Sequence, residues 1–145
     1  MDKIIYRLIY KNIYKVIATF LNLILSALMK RLWFTQYKGF FIDHRAVVKY
    51  PDNIEIGRGS VIGRCLLGGS GGISIGENVT ISYGAIIETG MLTRDEGKRH
   101  KSEAITIGNG AWICAGAIVL GGANVPENFT VPAGAVYTKN GLKHR

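Results

Sequence analysis

The 145-residue chain has three prolines and two cysteines. Cys65 and Cys114 show no metal-ligand spacing and make no disulfide framework, so a reducing compartment is expected. The three histidines, His44, His100 and His144, are scattered and match no ligand pattern, so no metal is expected. A spanning helix needs about 20 apolar residues. The uncharged run "VIATFLNLILSALM", residues 16–29, has fourteen. No small-residue cleavage site follows it, which argues against a signal peptide. Acids are scarce at the N-terminus: residues 1–38 hold Asp2 against Lys3, Arg7, Lys11, Lys15, Lys30, Arg31 and Lys38. That stretch supplies most of the net charge of +8. No nucleic-acid motif accompanies this charge, which sits among aliphatics, so no nucleic-acid partner is expected.

Lys3, Arg7, Lys11 and Lys15 recur every fourth residue, the spacing of one helix face. The pattern predicts a basic, tyrosine-rich amphipathic helix over residues 1–38. Beside a membrane span with Tyr and Lys snorkelling at its ends, two roles stay open for it. It lies on an anionic, cytoplasm-facing membrane surface, or it packs on its own domain or a neighbouring subunit.

Nineteen glycines without a strict triplet period point to many turns. From Ile107 the chain divides into sixes: IGNGAW, ICAGAI, VLGGAN, VPENFT, VPAGAV, YTKN. The same frame runs from Ile75 as IGENVT, ISYGAI, IETGML and from Ile56 as IGRGSV, IGRCLL, with Ile42, Val48 and Ile54 as a ragged first turn. Three six-residue sides make one triangular coil, so the expected fold is mainly β, a parallel β-helix of about five coils. The residue opening each block points inward, and Ile107 stacks on Val125, eighteen residues on. The expected layout is the helical segment 1–38, a β-helix domain 39–140 with a loop at 90–104, and a basic tail 141–145. "LLGGSGGISIG", residues 66–76, lacks the GK[ST] of a phosphate loop. It reads as a glycine-rich corner absorbing one extra residue between Ile56 and Ile75.

"ITIGNGAWICAGAIVL", "VPAGAVYTK" and "IEIGRG" resemble the hexapeptide-repeat acetyltransferases, a left-handed β-helix family, and most of all its sugar and polysaccharide O-acetylating branch. The resemblance covers residues 40–140. It implies a homotrimer with active sites between subunits, acetyl-coenzyme A as donor, and a saccharide acceptor that is often lipid-linked. It also implies a place in surface polysaccharide or glycolipid synthesis, in the cytoplasm or on the inner face of a bacterial membrane. By the same resemblance Trp112 lies close to the acceptor, Ala115 and Ala133 line the coenzyme arm, and Thr138 and Lys139 meet its phosphate-bearing end.

In that family the loop opens with a catalytic histidine in a run such as T-G-H or T-G-S-H. The histidine is the general base that activates the acceptor hydroxyl. Here Thr89 and Gly90 are followed by Met91 and Leu92. His100, the nearest histidine, is the leading candidate. His44 with Asp43 or Glu88, and a carboxylate base such as Glu88 or Asp95, remain open. So does a non-catalytic scaffold or binding protein of the same fold.

Overall fold

The computed structural model describes residues 13, 15–25, 28, 39–92 and 100–143. Asp95, His144 and most of the N-terminal cations lie outside these residues. The chain forms two compact units, Met1–Thr35 and Gln36–Arg145. In the first unit residues 15–25 are helical, and the Thr19 hydroxyl donates to the Lys15 carbonyl at 2.8 Å. Val16, Ile17, Phe20, Leu21 and Ile24 are exposed. No helix among the described residues is long and apolar enough to cross a membrane.

The second unit is a three-sided parallel solenoid of about five coils. Face I is the sheet of β1 (Phe41–Ile42), β4 (Val61–Ile62), β7 (Thr80–Ile81), β12 (Trp112–Ile113) and β15 (Thr130–Val131). Face II joins β2 (Val47–Lys49), β5 (Leu66–Gly68), β8 (Ile86–Glu88), β13 (Ile118–Leu120) and β16 (Val136–Thr138), all parallel. Face III holds β3 (Ile54–Ile56), β6 (Ile73–Ile75), β11 (Ile105–Ile107) and β14 (Asn124–Val125). Strand β17 (Gly141–Lys143) turns back antiparallel on β16, so residues 141–143 continue face II where a tail was expected.

The registers stack the block-opening residues, joined by Leu67 at the end of its block, into three interior columns. Ile42, Ile62, Ile81, Ile113 and Val131 run down face I. Val48, Leu67, Ile87, Val119 and Tyr137 run down face II. Ile56, Ile75, Ile107 and Val125 run down face III, and Ile107 meets Val125 as expected. Most of these side chains are almost fully buried, and burial stabilises each by roughly 1.5–3 kcal/mol. A branched side chain every sixth residue therefore explains the coil: each residue covers its counterpart one coil away.

The coil lengthens at one edge. From face II to face III the chain takes eight steps between Val48 and Ile56, eight between Leu67 and Ile75, and twenty between Ile87 and Ile107. The last coil takes six, from Val119 to Val125. The extra residue expected at the glycine-rich corner is thus a difference: two are gained after Leu67, and one is lost between Ile62 and Leu67. Solenoids tend to gather insertions on one side, and that side often binds ligand.

Candidate functional site

The longest insertion is an antiparallel hairpin, β9 (Gly90–Leu92) against β10 (His100–Ser102), on edge II–III. Its register sets His100 opposite Leu92, Lys101 opposite Met91, and Ser102 opposite Gly90. Directly opposed residues share a face of the pair, and successive residues alternate. His100, Leu92 and Ser102 therefore line one face and Met91 and Lys101 the other. The second arm of the loop thus places a histidine, His100, across from Leu92 on the first arm. His100 is exposed.

Hydroxyls fasten this hairpin to the solenoid. Thr89 is fully buried; its hydroxyl donates to the Gly68 carbonyl at 2.6 Å and accepts from the Gly71 N–H at 2.9 Å. It also shares a hydrogen bond with Ser70 at 3.1 Å, and Ser70 shares one with Ser102 at 2.8 Å. The corner of coil two thus holds the strand that carries His100. On the opposite hairpin face, Lys101 pairs with Glu103. Lys101 holds the Glu103 carboxyl below its ordinary range, with a smaller contribution from Lys139. Glu103 and Lys139 both lie against Gly122, where an added Cβ would meet the two side chains. Glu88 accepts the Gly90 N–H at 3.0 Å, beneath the same strand. An open groove of about 470 Å³ runs from Ser70 and Gly71 along the outside of face III past Glu55, Ser74 and Thr106.

The other candidates gather elsewhere. Trp112 is exposed on face I, and its indole N–H donates to the Ser82 hydroxyl at 2.9 Å. Ala115 and Ala133 sit at successive corners of edge I–II, joined by a bond from the Gly134 N–H to the Ala115 carbonyl at 3.0 Å. Gly116 and Gly134 beside them have φ of +66° and +68°, a left-handed turn that glycine makes without strain. A Cβ at either position would meet nothing within 4 Å, so this half of the edge is an open ledge that fits a thin, amide-bearing arm. Thr138 and Lys139 lie at the far end of the last face II strand, towards edge II–III; the Thr138 hydroxyl accepts the Asn140 N–H at 3.2 Å. His44 is at the first corner of edge I–II, with Nδ1 at 3.5 Å from Asp43 Oδ1.

One chain therefore places Ala115 and Ala133 on edge I–II, with Trp112 on the adjoining face I and tied to the Ser82 corner, and sets His100 and Lys139 on edge II–III. Between the edges, the outside of face II carries a continuous aliphatic column: Val47, Leu66, Ile86, Ile118 and Val136. Val47 and Ile86 are exposed, and the other three are half-buried. The hydroxyl cluster and the hairpin register are not visible in the sequence, because both come from contacts across coils.

No family model matches the chain. A serine acetyltransferase of Bacillus licheniformis is 38% identical over 109 residues, covering 73% of this chain and 46% of that protein. A serine acetyltransferase of Bacillus pumilus is 36% identical over 120 residues, covering 72% and 45%. The chain thus spans less than half the length of these relatives. Among solved structures, a maltose O-acetyltransferase from Clostridium difficile 630 superposes with a TM-score of 0.61 at 21% identity, covering 73% of this chain and 65% of that one. The solenoid matches the left-handed β-helix fold.

Proposed function

We propose, from the premise that this chain belongs to the hexapeptide-repeat acetyltransferase family, that it moves an acetyl group from acetyl-coenzyme A to a saccharide hydroxyl in surface polysaccharide or glycolipid synthesis. The observation that carries this reading is the hairpin register, which sets His100 across from Leu92 at the mouth of the loop. His100 takes the proton of the acceptor hydroxyl while the oxygen attacks the thioester carbonyl. The tetrahedral intermediate then collapses, the carbon–sulfur bond breaks, and the proton goes to the departing thiolate. A positioned base of this kind contributes about 10²–10⁴-fold. The ledge at Ala115 and Ala133 holds the coenzyme arm, and Lys139 offers a cation to its phosphates.

The active unit in this reading is a homotrimer. Its support is the separation of the candidate residues: two edges carry them, and the aliphatic column of face II lies between. A copy that covers that column brings edge II–III of one chain towards edge I–II of the next.

Met91 and Leu92, standing where the base is expected, favour a second reading, a non-catalytic scaffold of the same fold. Thermal unfolding with acetyl-coenzyme A separates the two. A ligand at 100 times its Kd that binds only the native state stabilises it by about 2.7 kcal/mol, a rise in Tm of several degrees. The transfer reading expects this rise, and an unchanged Tm at millimolar ligand points to the scaffold.

The helical segment supports a peripheral place on the inner face of a bacterial membrane, where lipid-linked acceptors are found. Its exposed aliphatics and the cations of residues 1–38 have the composition of a surface-binding helix. Deleting residues 1–30 is expected to abolish co-sedimentation with anionic liposomes; undiminished sedimentation of the truncated chain rules this role out.

A further inference from the structure

Edge I–II has two unlike halves. Backbone bonds link its corners coil to coil: Gly84 N–H to the Arg64 carbonyl at 2.8 Å, Gly116 N–H to the Tyr83 carbonyl at 3.1 Å, then Gly134 to Ala115. The last two coils turn this edge on alanine and glycine, so the corner needs no large side chain. The first three coils nonetheless place Arg45, Arg64 and Tyr83 there. The Arg64 guanidinium lies over the Tyr83 ring, 5.8 Å from its centre, a cation–π distance. Arg45 is fixed as well: Nε and one terminal nitrogen donate to the two oxygens of Asp43, each at 3.3 Å, and its backbone N–H donates at 2.8 Å. Asp43 is thereby held below its ordinary carboxylate range, with the Arg45 hydrogen bond as the largest cause. Tyr83 is 65% exposed and Trp112, tied to the adjoining Ser82, is 51% exposed. Two oriented guanidiniums and two open aromatic rings thus adjoin on one stretch of edge, next to the alanine ledge.

We propose that this stretch binds an acceptor saccharide that bears a phosphate, with its sugar ring against Tyr83 and Trp112 and its phosphate oxygens on Arg64 and Arg45. The inference deepens the transfer reading above and rests on it for the word acceptor. Guanidinium forks match phosphate oxygens in pairs. The flat, amphipathic faces of Tyr and Trp suit the alternating apolar and polar rim of a sugar. A neutral sugar offers no anion to Arg64 or to the terminal nitrogen of Arg45 that Asp43 does not hold. The coenzyme's own phosphates have a separate cation at Lys139, on the other edge.

The test is calorimetric titration of the full chain with glucose 1-phosphate, glucose and glucuronic acid, none of which requires turnover. Glucose 1-phosphate is expected to bind at least tenfold more tightly than glucose, and the difference should shrink with salt. Arg64→Gln is expected to weaken glucose 1-phosphate about tenfold, with the Tm and the KM for acetyl-coenzyme A unchanged. Arg45→Gln acts in the same direction, and Tyr83→Ala weakens the phosphate and neutral sugars alike. Equal binding of glucose and glucose 1-phosphate overturns the proposal. So does glucuronic acid binding as tightly as glucose 1-phosphate, or an Arg64→Gln effect confined to acetyl-coenzyme A, which would give the edge to the coenzyme. Transfer to neutral sugars without phosphate selectivity sinks this site and leaves the transfer reading standing. Phosphate-selective binding that Arg64→Gln abolishes supports the site even if no acetyl transfer is found.

Discussion

Replacing His100 by Ala is expected to lower turnover by about 10²–10⁴-fold, the usual worth of a positioned general base, while the KM for acetyl-coenzyme A changes little. His44→Ala is expected to cost less than tenfold. Both side chains are exposed, so solvent access does not separate them. Their places do. His44 sits at the first corner of edge I–II, three coils before Ala115, and three coil spacings amount to about 14 Å. His100 occupies the hairpin face shared with Leu92, on a strand held by the Ser70–Ser102 hydrogen bond. A rescue makes the assignment sharper. Leu92 and His100 are directly opposed, so their side chains emerge about 5 Å apart on the same face. Leu92→His in the His100→Ala background should therefore recover a tenfold or larger part of the lost rate. Met91→His, on the other face, should recover none. Equal rescue from both positions, or a His100→Ala loss below tenfold, removes His100 from the chemistry.

The interior was legible because six-residue spacing has one physical meaning. Ile75, Ile81, Ile107, Ile113 and Val125 each needed a partner one coil away, and each has one. The first coil was harder to read: Val48 is only half-buried, and its eight-step run to Ile56 breaks the count. The hairpin register was hidden for another reason. Loop length constrains where the two arms can meet but leaves open which residue faces which. His100 could thus be named from the sequence as the nearest histidine, yet its station opposite Leu92 needed coordinates. The Arg45–Arg64–Tyr83 cluster was in principle within reach. Written one coil under another, "DHRA", "GRCL" and "SYGA" place these residues at the corner where "CAGA" and "PAGA" place alanine and glycine. The coil-two corner is one residue short, and that blurred the alignment.

Two inactive variants should restore each other when mixed. Ala115→Trp fills the ledge on edge I–II, where Gly116 and Gly134 leave open space, and should stop coenzyme binding. His100→Ala removes the base from edge II–III. If the site is built from edge I–II of one chain and edge II–III of the next, a chain with an intact ledge can use the histidine of a neighbour with an intact hairpin. In a randomly mixed trimer, each site draws its two edges independently from two chains, so about a quarter of the sites are whole. Co-expression of Ala115→Trp with His100→Ala is therefore expected to give about a quarter of wild-type turnover per site, from parents that each show almost none. If both edges served one site within a single chain, every site would lack the ledge or the base, and the mixture would stay at the parental level. The aliphatic column supplies a companion measurement. Ile86→Asp together with Ile118→Asp sets two charges on the outside of face II, where a neighbour would have to desolvate them. That double variant should sediment as a monomer and lose turnover, with the interior columns of Ile87 and Val119 untouched. An active monomer would mean that one chain assembles the whole site by itself.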